Sequence, residues 1–239
     1  MGPGDKILFF FSALGTFNGF ILGVYFIFLT SKKLLSHYFL GALLLALSIR
    51  IGKSVAYFFD PSLARIYLQV GLTACFFIGP FLFFFIKCET RQIRKLPRSW
   101  SLQLAGLLLL ILTVGVIYPY QRFPFLWGQY LIPLIYLQWG LYVAASIMLL
   151  VPTIKRAAGK VKLKFYEKWI LTICGAVFLI FASYVWAYLN ITKGSYITGA
   201  LHFSLIIYLV VFTLLYRKKT NDLSSLSGQK YGDKKLDEE

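Results

Sequence analysis

The sequence predicts an all-α polytopic membrane protein: a seven-transmembrane-helix bundle with its N-terminus outside and its C-terminus in the cytoplasm. Three observations carry this. First, the 239 residues are 59% hydrophobic and only 14% charged, whereas a soluble domain is about half apolar and a quarter charged. Second, charge-free runs cover 7–31, 66–86, 99–121, 123–154, 169–192 and 194–216. Each is longer than the roughly 20 residues that cross about 30 Å of hydrocarbon. Third, Lys and Arg gather in alternate loops. This pattern excludes a soluble enzyme, a disordered chain and a secreted disulfide scaffold.

The expected spans are 7–30, 38–59, 64–86, 100–118, 129–151, 168–190 and 195–216. The first has an apolar run too long for a signal peptide and no basic leader. It carries Gly15, Gly19 and Gly23 at four-residue spacing, which puts three glycines on one face and lets another helix approach closely. That partner is either a neighbour within the bundle or a second copy, making a homodimer. Asn18, in the same stretch, is expected to hydrogen-bond a neighbouring helix. The second span is interrupted by Arg50 and Lys53. The third holds Gly79-Pro80, where the missing backbone donor of Pro80 predicts a kink. An aromatic, proline-containing stretch over 118–129 reads as an outer interfacial loop before the fifth span. Residues 217–239 are polar and read as a cytoplasmic juxtamembrane linker or tail.

Orientation follows from charge. Lys32, Lys33, Lys87, Arg91, Arg94, Lys95, Arg98, Lys155, Arg156, Lys160, Lys162, Lys164, Lys168, Arg217, Lys218, Lys219, Lys230, Lys234 and Lys235 fall in the odd loops and the tail. Only Lys6, Arg65, Arg122 and Lys193 fall on the other side. The positive-inside bias then sets the tail in the cytoplasm. A net charge of +16 in a soluble chain would suggest nucleic acid. Here it acts as a topogenic signal, with anionic lipid at the cytoplasmic face as its expected neighbour.

Chemistry is sparse. Cys75, Cys88 and Cys174 lie in spans or at the cytoplasmic edge, so no disulfide is expected. His37 and His202 are the only histidines, so no metal site is expected. Ser195 with His202 lacks the constellation an intramembrane protease needs. The expectation is a protein that is not an enzyme and has no cofactor. No span contains Asp or Glu, which argues against proton-coupled transport. The seventh span has no lysine and therefore no site for a Schiff base.

Arg50 and Lys53 are the leading functional candidates, because intramembrane charge is expensive and faces protein or water. At 1.5 Å per residue they lie about 18 and 22 Å from Tyr38, in the outer half, and their spacing puts them on one face. Two readings stand. In one they line a cationic outer cavity that holds a carboxylate, a phosphate or a lipid headgroup. In the other they snorkel to the interface. Asp60 is placed to neutralise the pair in part. Gln69, Gln138, Trp139, Tyr184, Trp186, Tyr188, Tyr196 and His202 also fall in the outer half, as ligand contacts for a small anionic or lipid-like molecule or as packing and interface residues.

Several stretches resemble a known family. They are Gly15-Thr16-Phe17-Asn18-Gly19-Phe20-Ile21-Leu22, the run His37-Tyr38-Phe39-Leu40-Gly41-Ala42-Leu43-Leu44-Leu45-Ala46-Leu47-Ser48, Phe77-Ile78-Gly79-Pro80-Phe81-Leu82-Phe83-Phe84, and Ala200-Leu201-His202-Phe203-Ser204. Together they are similar to the membrane domain of bacterial AraC-type regulators. The resemblance covers residues 1 to about 220. It implies a seven-helix receptor domain in the bacterial cytoplasmic membrane, ahead of a cytoplasmic helix-turn-helix domain that acts on transcription. This chain ends where that output domain would begin, so the resemblance implies that DNA is reached only through a missing domain. It supplies no ligand residues. Two other readings remain: a small seven-helix transporter of an anionic or small polar solute, and a passive membrane anchor. The transporter reading lacks an internal repeat, since the glycine run and Gly79-Pro80 have no counterparts in spans five to seven.

Overall fold

A computed structural model describes residues 3–30, 34–60, 62–159, 161–189 and 202–204. The described chain is all-helical. Helix α1 (Pro3–Val24) runs into a π-helical turn, Tyr25–Leu29. Then come α2 (Leu35–Phe59), α3 (Arg65–Arg91) and α4 (Arg98–Ile117). A short turn, α5 (Pro124–Leu126), and a π-helical turn, Trp127–Leu131, lead into α6 (Ile132–Ala158), which is followed by α7 (Phe165–Tyr188). Six helices among the described residues are long and apolar enough to cross a membrane. Their outward faces carry Leu109, Val116, Leu137 and Met148, each at least 60% exposed. An aqueous surface would not tolerate that apolar area, whereas lipid does. These features are those of a multi-pass membrane protein. The seventh expected span lies outside the described residues except for 202–204, which are helical.

The helix ends follow the sequence chemistry. Pro97 precedes α4, and Pro124 opens α5 at the first helical turn, where its missing N–H would have no partner anyway. Gln92 closes α3 with a left-handed backbone, φ 52°. At the start of α7, Glu167 accepts a hydrogen bond from the Lys164 backbone N–H (2.8 Å) and pairs with Arg156 near the end of α6. Glu167 is buried, so this ion pair staples the α6–α7 connection. Glu167→Gln is expected to lower the unfolding temperature and to speed proteolysis within 159–164, read by limited trypsinolysis.

The core sits where α2, α3, α6 and α7 meet, with α1 against α2. Small residues set the approach distances. An added Cβ at Gly19 would lie 2.5 Å from Phe203 and 2.7 Å from Ser48 Oγ, and one at Gly23 would lie 2.8 Å from Leu45. Gly15 meets Ser204 even more tightly. All three glycines of the repeat therefore face the chain's own helices. Asn18, on the same helix, makes no hydrogen bond among the described residues, contrary to expectation. It is only half-buried. Helix α3 continues through Pro80. The adjacent Gly79 meets the α6 backbone at Trp139 (3.2 Å to Cα from an ideal Cβ), so this dipeptide lets α3 and α6 touch. At the far end of the bundle Phe84 stacks on Trp100, Phe39 packs tilted against both, and Lys87 lies over Trp100 at 5.1 Å.

The loop over 118–129 departs from the interfacial picture at one residue. Trp127 is fully buried and donates its indole N–H to the Tyr118 carbonyl (2.7 Å). It pins the loop rather than lying in the headgroup layer. Phe125, 71% exposed, points outward.

Candidate functional site

Arg50 sits nine residues before the end of α2, about 14 Å along the axis. Helix α2 directs it inward, and it is 2% exposed. An arginine buried to this degree needs its charge and its donors satisfied. Its Nη1 donates to Ser54 Oγ (3.0 Å), one turn along the same helix, and its Nη2 donates to the Tyr136 hydroxyl (2.9 Å) on α6. The guanidinium lies over the Tyr184 ring of α7, with Cζ 4.4 Å from the centroid. Tyr184 in turn donates from its hydroxyl to Ser54 Oγ (3.2 Å). Cys75 of α3 lies beside both Arg50 and Lys53. One side chain thus gathers α2, α3, α6 and α7. Arg50 does not snorkel.

Aromatic rings surround this cation. Trp139 lies 6.2 Å from Tyr184 and 6.4 Å from Tyr136, and Tyr188 meets Tyr136 edge-on at 5.4 Å. A guanidinium over an aromatic face, shielded from water, gains about 2 kcal/mol or more. The charge is held by π faces and hydroxyls. No carboxylate approaches it among the described residues. Asp60, the expected partial counter-charge, instead accepts a hydrogen bond from the Ser62 N–H (3.0 Å) and makes no ion pair with Arg50 or Lys53.

The other sequence candidates divide. Lys53 is half-buried and lays its stem along Gly71, where an added Cβ would lie 2.9 Å from its Cγ. Its ammonium has no hydrogen-bond or ion-pair partner among the described residues. Trp139, Tyr184 and Tyr188 join Arg50 directly or through one ring. Gln69 does not. Its Nε2 donates to the Gly115 carbonyl (2.9 Å) and its Oε1 accepts from the Tyr120 N–H (2.8 Å), so it locks α3 to the end of α4. Gln69→Leu is expected to destabilise the protein by about 1–3 kcal/mol, because it strands those backbone groups. Denaturant unfolding in micelles reads the loss. Gln138 is half-buried, and both of its amide atoms are buried without a partner among the described residues. His202 pairs through Nδ1 with Ser183 Oγ (2.9 Å), away from Arg50. Trp186 is 50% exposed, and Tyr196 lies outside the described residues. Ser54, Cys75 and Tyr136 complete the centre and were not among the expected contacts. Ser54 had a signal, since it stands four residues after Arg50 on the same face. Tyr136 and Cys75 had none.

The arrangement defines a class: a helical multi-pass membrane protein with a buried, aromatic-capped cation between its helices. No family model, curated protein or solved structure matches this chain.

Proposed function

We propose that the chain is a membrane-embedded receptor module. In this reading it spans the bacterial cytoplasmic membrane seven times, N-out and C-in, and passes an external or membrane-borne signal to a cytoplasmic, AraC-like output that regulates transcription. The observation that carries the reading is Arg50. A cation held by single hydrogen bonds to α2 and α6 and by a ring face on α7 is sensitive to any charge brought near it. Helix α7 precedes the last expected span and the basic tail, so a shift of α7 is the route to the cytoplasm. A ligand moves such an equilibrium only by its different affinity for the two arrangements. The sorting of Lys and Arg supports the orientation, and the resemblance supports the output class.

The test fuses the C-terminus of the full chain to a dimerisation-dependent DNA-binding reporter in bacteria. Output that responds to growth conditions in the parent chain and becomes constant in Arg50→Gln supports the reading. Regulated output that survives replacement of the bundle by one inert apolar helix overturns it in favour of a passive anchor.

A further inference from the structure

Every Asp and Glu of the chain is accounted for by Asp5, Asp60, Glu89, Glu167, Asp222, Asp233, Asp237, Glu238 and Glu239. Those within the described helices, Asp5, Glu89 and Glu167, all stand in end turns, and Glu167 pairs with Arg156. The closest to Arg50 along the chain is Asp60, ten residues on, or about 15 Å of helix, and its carboxylate is turned to Ser62. Among the described residues no carboxylate pairs with Arg50, so the positive charge is enclosed without a counter-charge from those side chains. A second cation, Lys53, stands one turn away on the same face, and both flank Cys75. Two like charges side by side in a low-dielectric interior repel each other. Packing alone gives no reason for the pair.

The donors left over point the same way. Arg50 Nε is buried without a partner among the described residues, as is the indole N–H of Trp139 in the same aromatic cluster. The Lys53 ammonium is also unmatched there. Native interiors satisfy such groups. A guanidinium edge offers parallel N–H bonds that suit a planar carboxylate, and Lys53 adds a point charge beside it.

We propose that an apolar monocarboxylate binds at Arg50 and Lys53, its carboxylate accepting hydrogen bonds from Arg50 Nε and Lys53 Nζ and its body lying against Trp139 and Tyr188. The charge is single because desolvation cost grows with the square of the charge, so a phosphate dianion costs about four times as much. The body is apolar because the surrounding walls are aromatic. This inference rests on the receptor reading for its biological role, but the site stands or falls separately.

The test uses the full chain in nanodiscs of zwitterionic lipid. Thermal unfolding is followed against sodium benzoate, sodium laurate, and benzyl alcohol and dodecanol as neutral counterparts. A saturable rise in unfolding temperature with either acid and not with its alcohol is expected, since a ligand that binds only the folded state stabilises it. A response to benzoate identifies a water-borne source, and a response to laurate a bilayer-borne one. Lys53→Met, at a half-buried position, keeps the fold and is expected to weaken binding about tenfold, as loss of one charge-assisted hydrogen bond does. Arg50→Gln is expected to abolish it. Equal responses to acid and alcohol, an unchanged affinity in Lys53→Met, or no saturable response to either acid would overturn the proposal. Acid binding with no change in reporter output would leave the site standing and remove the receptor reading.

Discussion

Tyr184→Leu is expected to destabilise the bundle by about 3–5 kcal/mol, whereas Arg50→Met costs less than about 2 kcal/mol. The asymmetry follows from which group needs which. Tyr184 is fully buried, its ring lies under the Arg50 guanidinium at 4.4 Å, and its hydroxyl reaches Ser54. Removing the ring opens a cavity and strips one face from a buried charge that has no carboxylate beside it among the described residues. Removing the charge instead leaves an aromatic cluster that an apolar chain of similar length can fill, and such replacements are often near neutral. The double variant is accordingly expected to be more stable than the sum of the two losses, with a coupling of about 1–3 kcal/mol. Equilibrium unfolding of the four proteins in one detergent measures it.

Gly79→Leu is the second large effect, with an expected loss of about 3 kcal/mol or more. Even a Cβ here would stand 2.9 Å from Tyr142 Cβ and 3.2 Å from the Trp139 Cα. The second of these is backbone and cannot rotate away. Helices α3 and α6 share one of the larger interfaces of the bundle, and in a membrane such contacts depend on close packing rather than on water exclusion. Pushing α6 outward also moves Trp139, which touches Tyr184 and Tyr136. The variant is therefore expected to disturb the Arg50 centre as well as the fold. Gly79→Ala, with one methyl group, is expected to cost about 1 kcal/mol, and the same unfolding assay compares the two.

The helical, membrane-spanning character was legible because apolar runs of span length are a one-dimensional signal that needs no knowledge of neighbours. Arg50 was legible for the same reason, as a charge in an apolar run. Its surroundings were not. Tyr136 is one of 16 tyrosines, and nothing local separates a ring that binds a cation from one that lies against lipid. Gln69 and Gln138 show the limit most clearly. Both are glutamines in apolar helices, yet Gln69 spends both amide atoms on Gly115 and Tyr120 while neither atom of Gln138 has a partner among the described residues. Which backbone groups face a side chain depends on helix rotation, which periodicity sets only coarsely. Asp60 misled for a related reason. Two turns of helix brought it to the right face, but its own short-range bond to Ser62 is closer to hand.

The most direct measurement is a solid-state NMR distance in lipid bilayers between the Arg50 guanidinium carbon and a ring-labelled Tyr184. The account predicts about 4.4 Å to the ring centre, kept in Lys53→Met. A separation beyond about 6 Å, outside the reach of a cation over a ring, would contradict the buried cation on which the receptor reading and the carboxylate site both depend.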